Sequence, residues 1–163
     1  MSIKFALDIA NGMKYMHAQS IVHLDLKSPN VLLCTDNKRI HAKIADFGTS
    51  RAFEKGGLLS GKLVDNPVWL APEIMLQKKY THKVDVYAFG IICWEIMTRR
   101  NFFDCGFLSE IEKKVVNGER EPLEPCPEGY DQIVVCCWDT YPDVRPEFEV
   151  VVEKLKSIKI SDK

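Results

Sequence analysis

The sequence has no surplus of charge of either sign: 22 Lys and Arg stand against 23 Asp and Glu, for a formal net charge of −1. A protein that holds nucleic acid by charge alone needs a basic face, so that class is set aside. No C-x-x-C pair occurs among Cys34, Cys93, Cys105, Cys126, Cys136 and Cys137. This argues against a zinc knuckle or a redox dithiol and leaves reduced core thiols of a cytosolic protein. There is no N-x-S/T sequon, and the opening "MSIKFALDIANGMKYMH" lacks the continuous apolar run of a signal peptide. The longest apolar stretch, "VYAFGIICW", ends at Glu95, short of the ~20 residues of a membrane span. No internal repeat or low-complexity tract is visible. No G-x-G-x-x-G phosphate-binding run occurs; Gly56, Gly57 and Gly61 have the wrong spacing.

What remains is an ordinary globular composition, 46% hydrophobic and 28% charged over 163 residues, which predicts one domain with a real core. Ile3, Leu7, Ala10, Met13 and Met16 step by three and four, predicting an amphipathic helix over about 2–18. Two β-like runs, "VLLC" at 31–34 and "IHAKIA" at 40–45, flank the turn formers "TDNK" and predict a hairpin. Residues 49–67 read as a long loop with no clean period, a length that is usually functional. A helix apolar on most faces follows over about 81–98, as expected of a helix at the centre of a core. Ser109 and Glu112 form a capping-box signature for a helix over about 109–117. Further helices are expected at about 130–138 and from Pro146, placed near its first turn, through Ile158.

The stretch "HLDLKSPNVLL" packs His23, Asp25, Lys27 and Asn30 just before the hairpin, and Asp46 stands just after it. Strands of about five residues make legs of roughly 17 Å that cancel, so Asn30 and Asp46 are expected to meet at the hairpin's open end. An amide oxygen beside a carboxylate suits magnesium, which takes one or two carboxylates and fills its shell with water and phosphate oxygens. Asp25 and Lys27 lie on the loop leading to the same point. Taken singly, Asn30 and Asp46 read as turn residues; it is the register of all four that points to a site.

These residues carry a resemblance. "HLDLKSPN", then "DFG" at 46–48, then "APE" at 71–73, resemble the protein-kinase signature in order and spacing. "KVDVYAFGIICWEIMT" and "CWDTYPDVRP" extend it over about Ile3 to Ile158. The chain looks like the C-terminal lobe of a serine/threonine kinase, most similar to the tyrosine-kinase-like group. The resemblance implies a mainly α fold with a small β-hairpin, an α+β kinase C-lobe without the N-lobe. Its parts would be a catalytic loop at 23–30, an activation segment at 46–73 and a helical subdomain at 81–159. It implies ATP and magnesium as cofactors and a protein substrate. Asp25 would accept or orient the substrate hydroxyl proton, Lys27 would neutralise the transferring phosphate, and Asn30 and Asp46 would hold magnesium. Leu32 would floor the adenine site, His23 and Phe47 would stack in an apolar column, and Asp85 would cap the catalytic-loop backbone. Glu73 and Arg145 would form a buried ion pair. The location implied is cytoplasmic, as a soluble kinase or as the intracellular part of a membrane kinase.

Departures from the pattern matter as much. Leu24 replaces the usual arginine before the catalytic aspartate, so pairing with a phosphate on the activation segment is lost. Asp65 and Asn66 stand where the family often has Gly-Thr, which alters the bridge between Asp25 and Lys27. The glycine-rich loop, the "VAIK"-type lysine and its glutamate partner are missing, because the chain starts too late to hold them. Two function classes follow: a kinase catalytic lobe, expected to be inactive without an N-lobe, and a non-catalytic kinase-like interaction module or truncated gene product. In either case an N-lobe or partner protein is expected over an exposed apolar face around Leu32 and Phe47.

Overall fold

In the computed structural model, which describes residues 2–54, 56–61, 67–104 and 107–158, the chain opens with a helix, α1 (Ser2–Ala18). Its stripe of Ile3, Ala6, Ile9, Ala10, Met13 and Met16 is buried, as steps of three and four residues dictate. A two-residue strand, β1 (Ile21–Val22), and a single 3-10 turn over Ser28–Asn30 follow. Strands β2 (Val31–Asp36) and β3 (Arg39–Ile44) form the expected hairpin, antiparallel from Val31–Ile44 to Asp36–Arg39. Its turn is tighter than "TDNK" suggested. Thr35 and Asp36 stay in the ladder, and Asn37 and Lys38 alone turn, at φ of 46° and 66°. Two successive positive-φ residues give the turn whose twist matches the flanking strands.

The hairpin is fixed to α1. Asp8 Oδ2 accepts from the Ala42 N–H at 3.0 Å, and a Cβ at Gly12 would come within 2.9 Å of Ile44 Cδ1. The glycine thus lets β3 lie close against the helix.

The stretch 49–67 is less featureless than its sequence. Arg51–Ala52 forms β4, which pairs antiparallel with β1, and Leu59 bridges Tyr80. Pro67–Trp69 makes a 3-10 turn. Strands two residues long have no room for an alternating pattern, so composition alone reads them as loop. Asp65 and Asn66 lie outside the described residues.

Helix α2 (Pro72–Met75) is a single turn, and α3 (Lys83–Thr98) is the axis of the core, with every residue from Val84 to Trp94 buried. Helices α1 and α5 (Tyr130–Cys137) pack on it, α6 (Phe148–Ser157) lies against α1 and α5, and α4 (Leu108–Val116) packs on α2 and the Pro67–Trp69 turn. Helix α5 crosses α3 at Gly90, where a Cβ would sit 2.8 Å from Trp138 N. Two helix starts differ from expectation. The carbonyl of Phe107 accepts the first bonds of α4, from Glu110 and Ile111 N–H, so Ser109 falls inside the first turn and no capping box forms. The carbonyl of Glu147 does the same for α6, from Val150 and Val151, so Pro146 leads into the helix rather than joining its first turn. Cys34, Cys93, Cys126, Cys136 and Cys137 are free thiols. Burial pushes the Cys93 thiol up to about 12 and that of Cys137 well above its ordinary value, which makes both inert. Among the described residues no helix is long and apolar enough to cross a membrane.

One ion pair locks this arrangement. Arg145 Nη1 and Nη2 donate to Glu73 Oε1 and Oε2 at 2.7 and 2.8 Å, with both side chains buried. The remaining guanidinium protons reach the carbonyls of Asp139, Lys83 and Thr140, and the ring of Tyr87 lies 5.1 Å from the Arg145 guanidinium carbon. Every donor is used, which is the condition under which a buried guanidinium is tolerated. Arg145→Ala leaves the Glu73 carboxylate buried without its cation and should cost about 3–5 kcal/mol. The check is the chemical-denaturation midpoint; an unchanged midpoint would reject the dependence.

Candidate active site

The 23–30 loop is held from behind by one carboxylate. Asp85 rises from the first turn of α3 and is 1% exposed. Its Oδ2 accepts from the His23 backbone N–H at 2.8 Å and its Oδ1 from that of Leu24 at 3.0 Å. His17, in the last turn of α1, donates from Nε2 to the same Oδ2 at 2.9 Å. Leu24 has φ of 68°, uncommon for a residue with a side chain. Capture of two successive amides by one carboxylate keeps the backbone there.

The His23 side chain carries this order forward. It is fully buried. Its Nδ1 accepts from the Asp25 N–H at 3.2 Å, so the ring proton sits on Nε2, which reaches the Ala45 carbonyl at 3.2 Å. One imidazole thus links the backbone of Asp25 to the residue before Asp46. The His23 carbonyl accepts from Thr49 Oγ1 at 3.1 Å, tying in the chain beyond Asp46.

Asp25 is oriented on both oxygens. Lys27 Nζ lies 2.8 Å from Oδ1, and Asn30 Nδ2 donates to Oδ2 at 2.9 Å and to the Asp25 carbonyl at 2.8 Å. With its amide nitrogen committed, Asn30 has Oδ1 to offer as an acceptor. The hairpin register extends one step past the strands, because Ala45 N–H donates to the Asn30 carbonyl at 2.9 Å. Asn30 therefore stands opposite Ala45, with Asp46 next along the chain, as the folding back of the hairpin requires. Asp46 has φ of 61°, and its Oδ1 accepts from the Gly48 N–H at 3.3 Å. The rings of Phe47 and His23 are 5.4 Å apart and tilted. Leu32 and Phe47 are 51% and 53% exposed, so the face above the hairpin is apolar and open.

Several structural residues of the site escape a reading by motif. His17 is one; its only sequence mark is its place in the last turn of an amphipathic helix. Glu95 is another. It accepts from Trp69 Nε1 at 3.1 Å and from the Phe102 N–H at 3.4 Å. Burial raises its carboxyl above the ordinary value, against the opposing hydrogen bonds from Ser28, Trp69 and Phe102. It ties the end of the 23–30 loop to the Pro67–Trp69 turn. Beneath Leu24 and Asp25 a cavity of about 20 Å³ is walled by Trp69, Ile74, Val84 and Ala88, room for about one water. Leu24 is buried and lines this cavity together with Asp25 and Asp85.

A sequence model for protein tyrosine and serine/threonine kinases matches residues 1–155. The chain belongs to that family. It is 44% identical over 98% of its length to the Dictyostelium discoideum protein "Probable serine/threonine-protein kinase pats1", 5% of which it spans. It is 43% identical over 96% of its length to "RGS domain-containing serine/threonine-protein kinase A" of the same organism, spanning 14% of that protein. "Cyclic GMP-binding protein C", also from Dictyostelium discoideum, is 39% identical over 98% of the chain, which covers 6% of it. The chain thus corresponds to a small part of these relatives, and its mainly α fold with one hairpin is that of a kinase C-lobe.

Asp85→Ala removes the acceptor for two buried backbone amides, each costing about 1–3 kcal/mol when left unpaired. Amide hydrogen exchange at His23 and Leu24 should accelerate more than exchange in α5. Protection retained at both amides would show that another group holds the loop.

Proposed function

We propose that this chain is the catalytic lobe of a protein serine/threonine kinase, transferring the γ-phosphoryl group of ATP to a protein hydroxyl. The observation that carries the proposal is the orientation of Asp25: Lys27 on one oxygen, Asn30 on the other, and the backbone N–H fixed by His23. An aspartate held this way presents a carboxylate at a fixed place for a substrate hydroxyl. Lys27, beside it, is placed to meet phosphate charge. These roles are assigned on family likeness and on geometry together.

Asn30 Oδ1 and the Asp46 carboxylate are the residues that would hold magnesium. Both are hard oxygen donors, and the Asn30 amide is prevented from turning its nitrogen toward an ion by its two bonds to Asp25. Magnesium, when bound, neutralises phosphate oxygens and orients the nucleotide. Leu32 would lie under the adenine ring. The 163 residues contain no glycine-rich phosphate loop or strand lysine, so an N-lobe or a partner over Leu32 and Phe47 would have to supply the grip on the α- and β-phosphates. Leu24 offers no cation to a phosphorylated activation segment, so control by that route is not built into this loop.

The test is phosphotransfer. The 163-residue chain alone should show none above background. Fusing the N-lobe of a kinase relative ahead of Met1 should restore measurable transfer. That activity should vanish in Asp46→Ala and fall by roughly 10²–10⁴-fold in Asp25→Ala. Rescued activity indifferent to both substitutions would overturn the assignment. Robust transfer by the 163 residues alone, abolished by Asp25→Ala, would overturn the requirement for a second lobe.

A further inference from the structure

Behind the site, three helices end at one point. His17 closes α1, His82 is the residue before α3, and Glu147 is the residue before α6. Each offers one ligand atom, and the three atoms lie within 4.8 Å of one another. The His17 side chain is 5% exposed, and its Nδ1 is buried with no hydrogen-bond partner among the described residues. A buried ring nitrogen without a partner is costly. Because Nε2 donates to Asp85, the lone pair that His17 has to give is on Nδ1.

The geometry points to a transition-metal site here, for zinc or a similar ion, with His17 Nδ1, His82 Nε2 and a Glu147 carboxylate oxygen as ligands and water in the fourth position. Two imidazoles and a carboxylate are a ligand set zinc takes in tetrahedral form. Asp85 completes it, since a metal-binding histidine commonly gives its other N–H to a carboxylate, which fixes tautomer and ring orientation. Two phenyl rings flank the site. Phe53 stacks on His82 at 4.8 Å and meets His17 at 5.9 Å, and Phe148 meets His17 edge-on at 5.1 Å. Glu147, about half exposed, is the side from which an ion enters.

At present His82 Nε2 and Glu147 Oε2 share a hydrogen bond of 2.9 Å, while Lys83 Nζ holds Oε1 at 3.0 Å. Bonds of about 2.0–2.2 Å to one tetrahedral ion set ligand atoms about 3.3 Å apart. The His82–Glu147 pair needs only to part slightly, and rotation of the two side chains brings them nearer His17. For the metal to bind, the proton on His82 Nε2 moves to Nδ1 by exchange with solvent if the ring is neutral, or is released to solvent if the ring is doubly protonated, so His82 binds as the neutral Nδ1–H form. Lys83 stays on the other oxygen, so the carboxylate binds through one oxygen.

The probes are Zn²⁺ and Co²⁺, titrated into the chain without nucleotide. One equivalent of zinc should bind and raise the melting temperature. Co²⁺ should give the visible absorption of a tetrahedral nitrogen–oxygen site. Glu147→Gln changes an exposed side chain at constant volume and should fold, and it carries the test if His82→Ala, which removes a largely buried ring, is destabilised; each should weaken zinc binding by about 10-fold or more and abolish the thermal shift. Binding unchanged in both variants would overturn the site. So would a cobalt spectrum with a thiolate charge-transfer band, which would place the ion on cysteine, and so would no binding at all.

Discussion

The structure depends on a carboxylate taken out of water. Burying Asp85 is expensive in itself, and it persists only because three donors converge on it. Two of these are consecutive backbone amides of the 23–30 loop and the third is the imidazole of His17. The three bonds therefore decide more than their own energies. They set how far α1 lies from α3, and they hold Leu24 at a positive φ that its side chain would not choose. They also determine which way Asp25 faces. No apolar contact could do this, because packing fixes distance but not the direction of an N–H.

From that anchor the candidate site is assembled by short polar steps rather than by long side chains. His23 spans from the amide of Asp25 to the carbonyl of Ala45, and the hairpin ladder continues into the Asn30–Ala45 bond. Asn30 then returns to Asp25 through its amide nitrogen. The circuit closes through protein groups, so the position of Asp25 is set by the chain's own hydrogen bonds. Beside it Leu32 and Phe47 show about half their surface.

The sequence reveals elements wherever a period has room to repeat. Helix α1 and the buried α3 were legible from their apolar positions, and the hairpin from two β-like runs about a turn. The meeting of Asn30 with the Asp46 segment followed from antiparallel geometry alone. The pairing of β1 with β4 was not legible, because two residues cannot alternate. Ser109 misled because a capping motif is local, while the start of α4 is set by which residues face the core, Ile111 and Val115. Asp85 and the Glu73–Arg145 pair came from family likeness rather than from composition, and the hydrogen bonds now give each a physical basis. His17 and Glu147 carried no sequence signal because their meaning lies in helix ends brought together from opposite parts of the chain.

Leu24 changes where control over the loop can act. With arginine at that position a phosphate in front could pull on the loop. With leucine the side chain is buried, lining the small cavity along with Trp69, Ile74, Val84 and Ala88, and carries no charge for a phosphate to pull on. What remains is support from behind, through Asp85 and through whatever fixes the His17 ring. His17 both donates to Asp85 and meets His82 and Glu147, the residues before α3 and α6. A change in its freedom alters the hold on the His23 and Leu24 amides without any contact with nucleotide. The hold on the Asp25 loop thus runs back, through Asp85 and His17, to the meeting point of three helices.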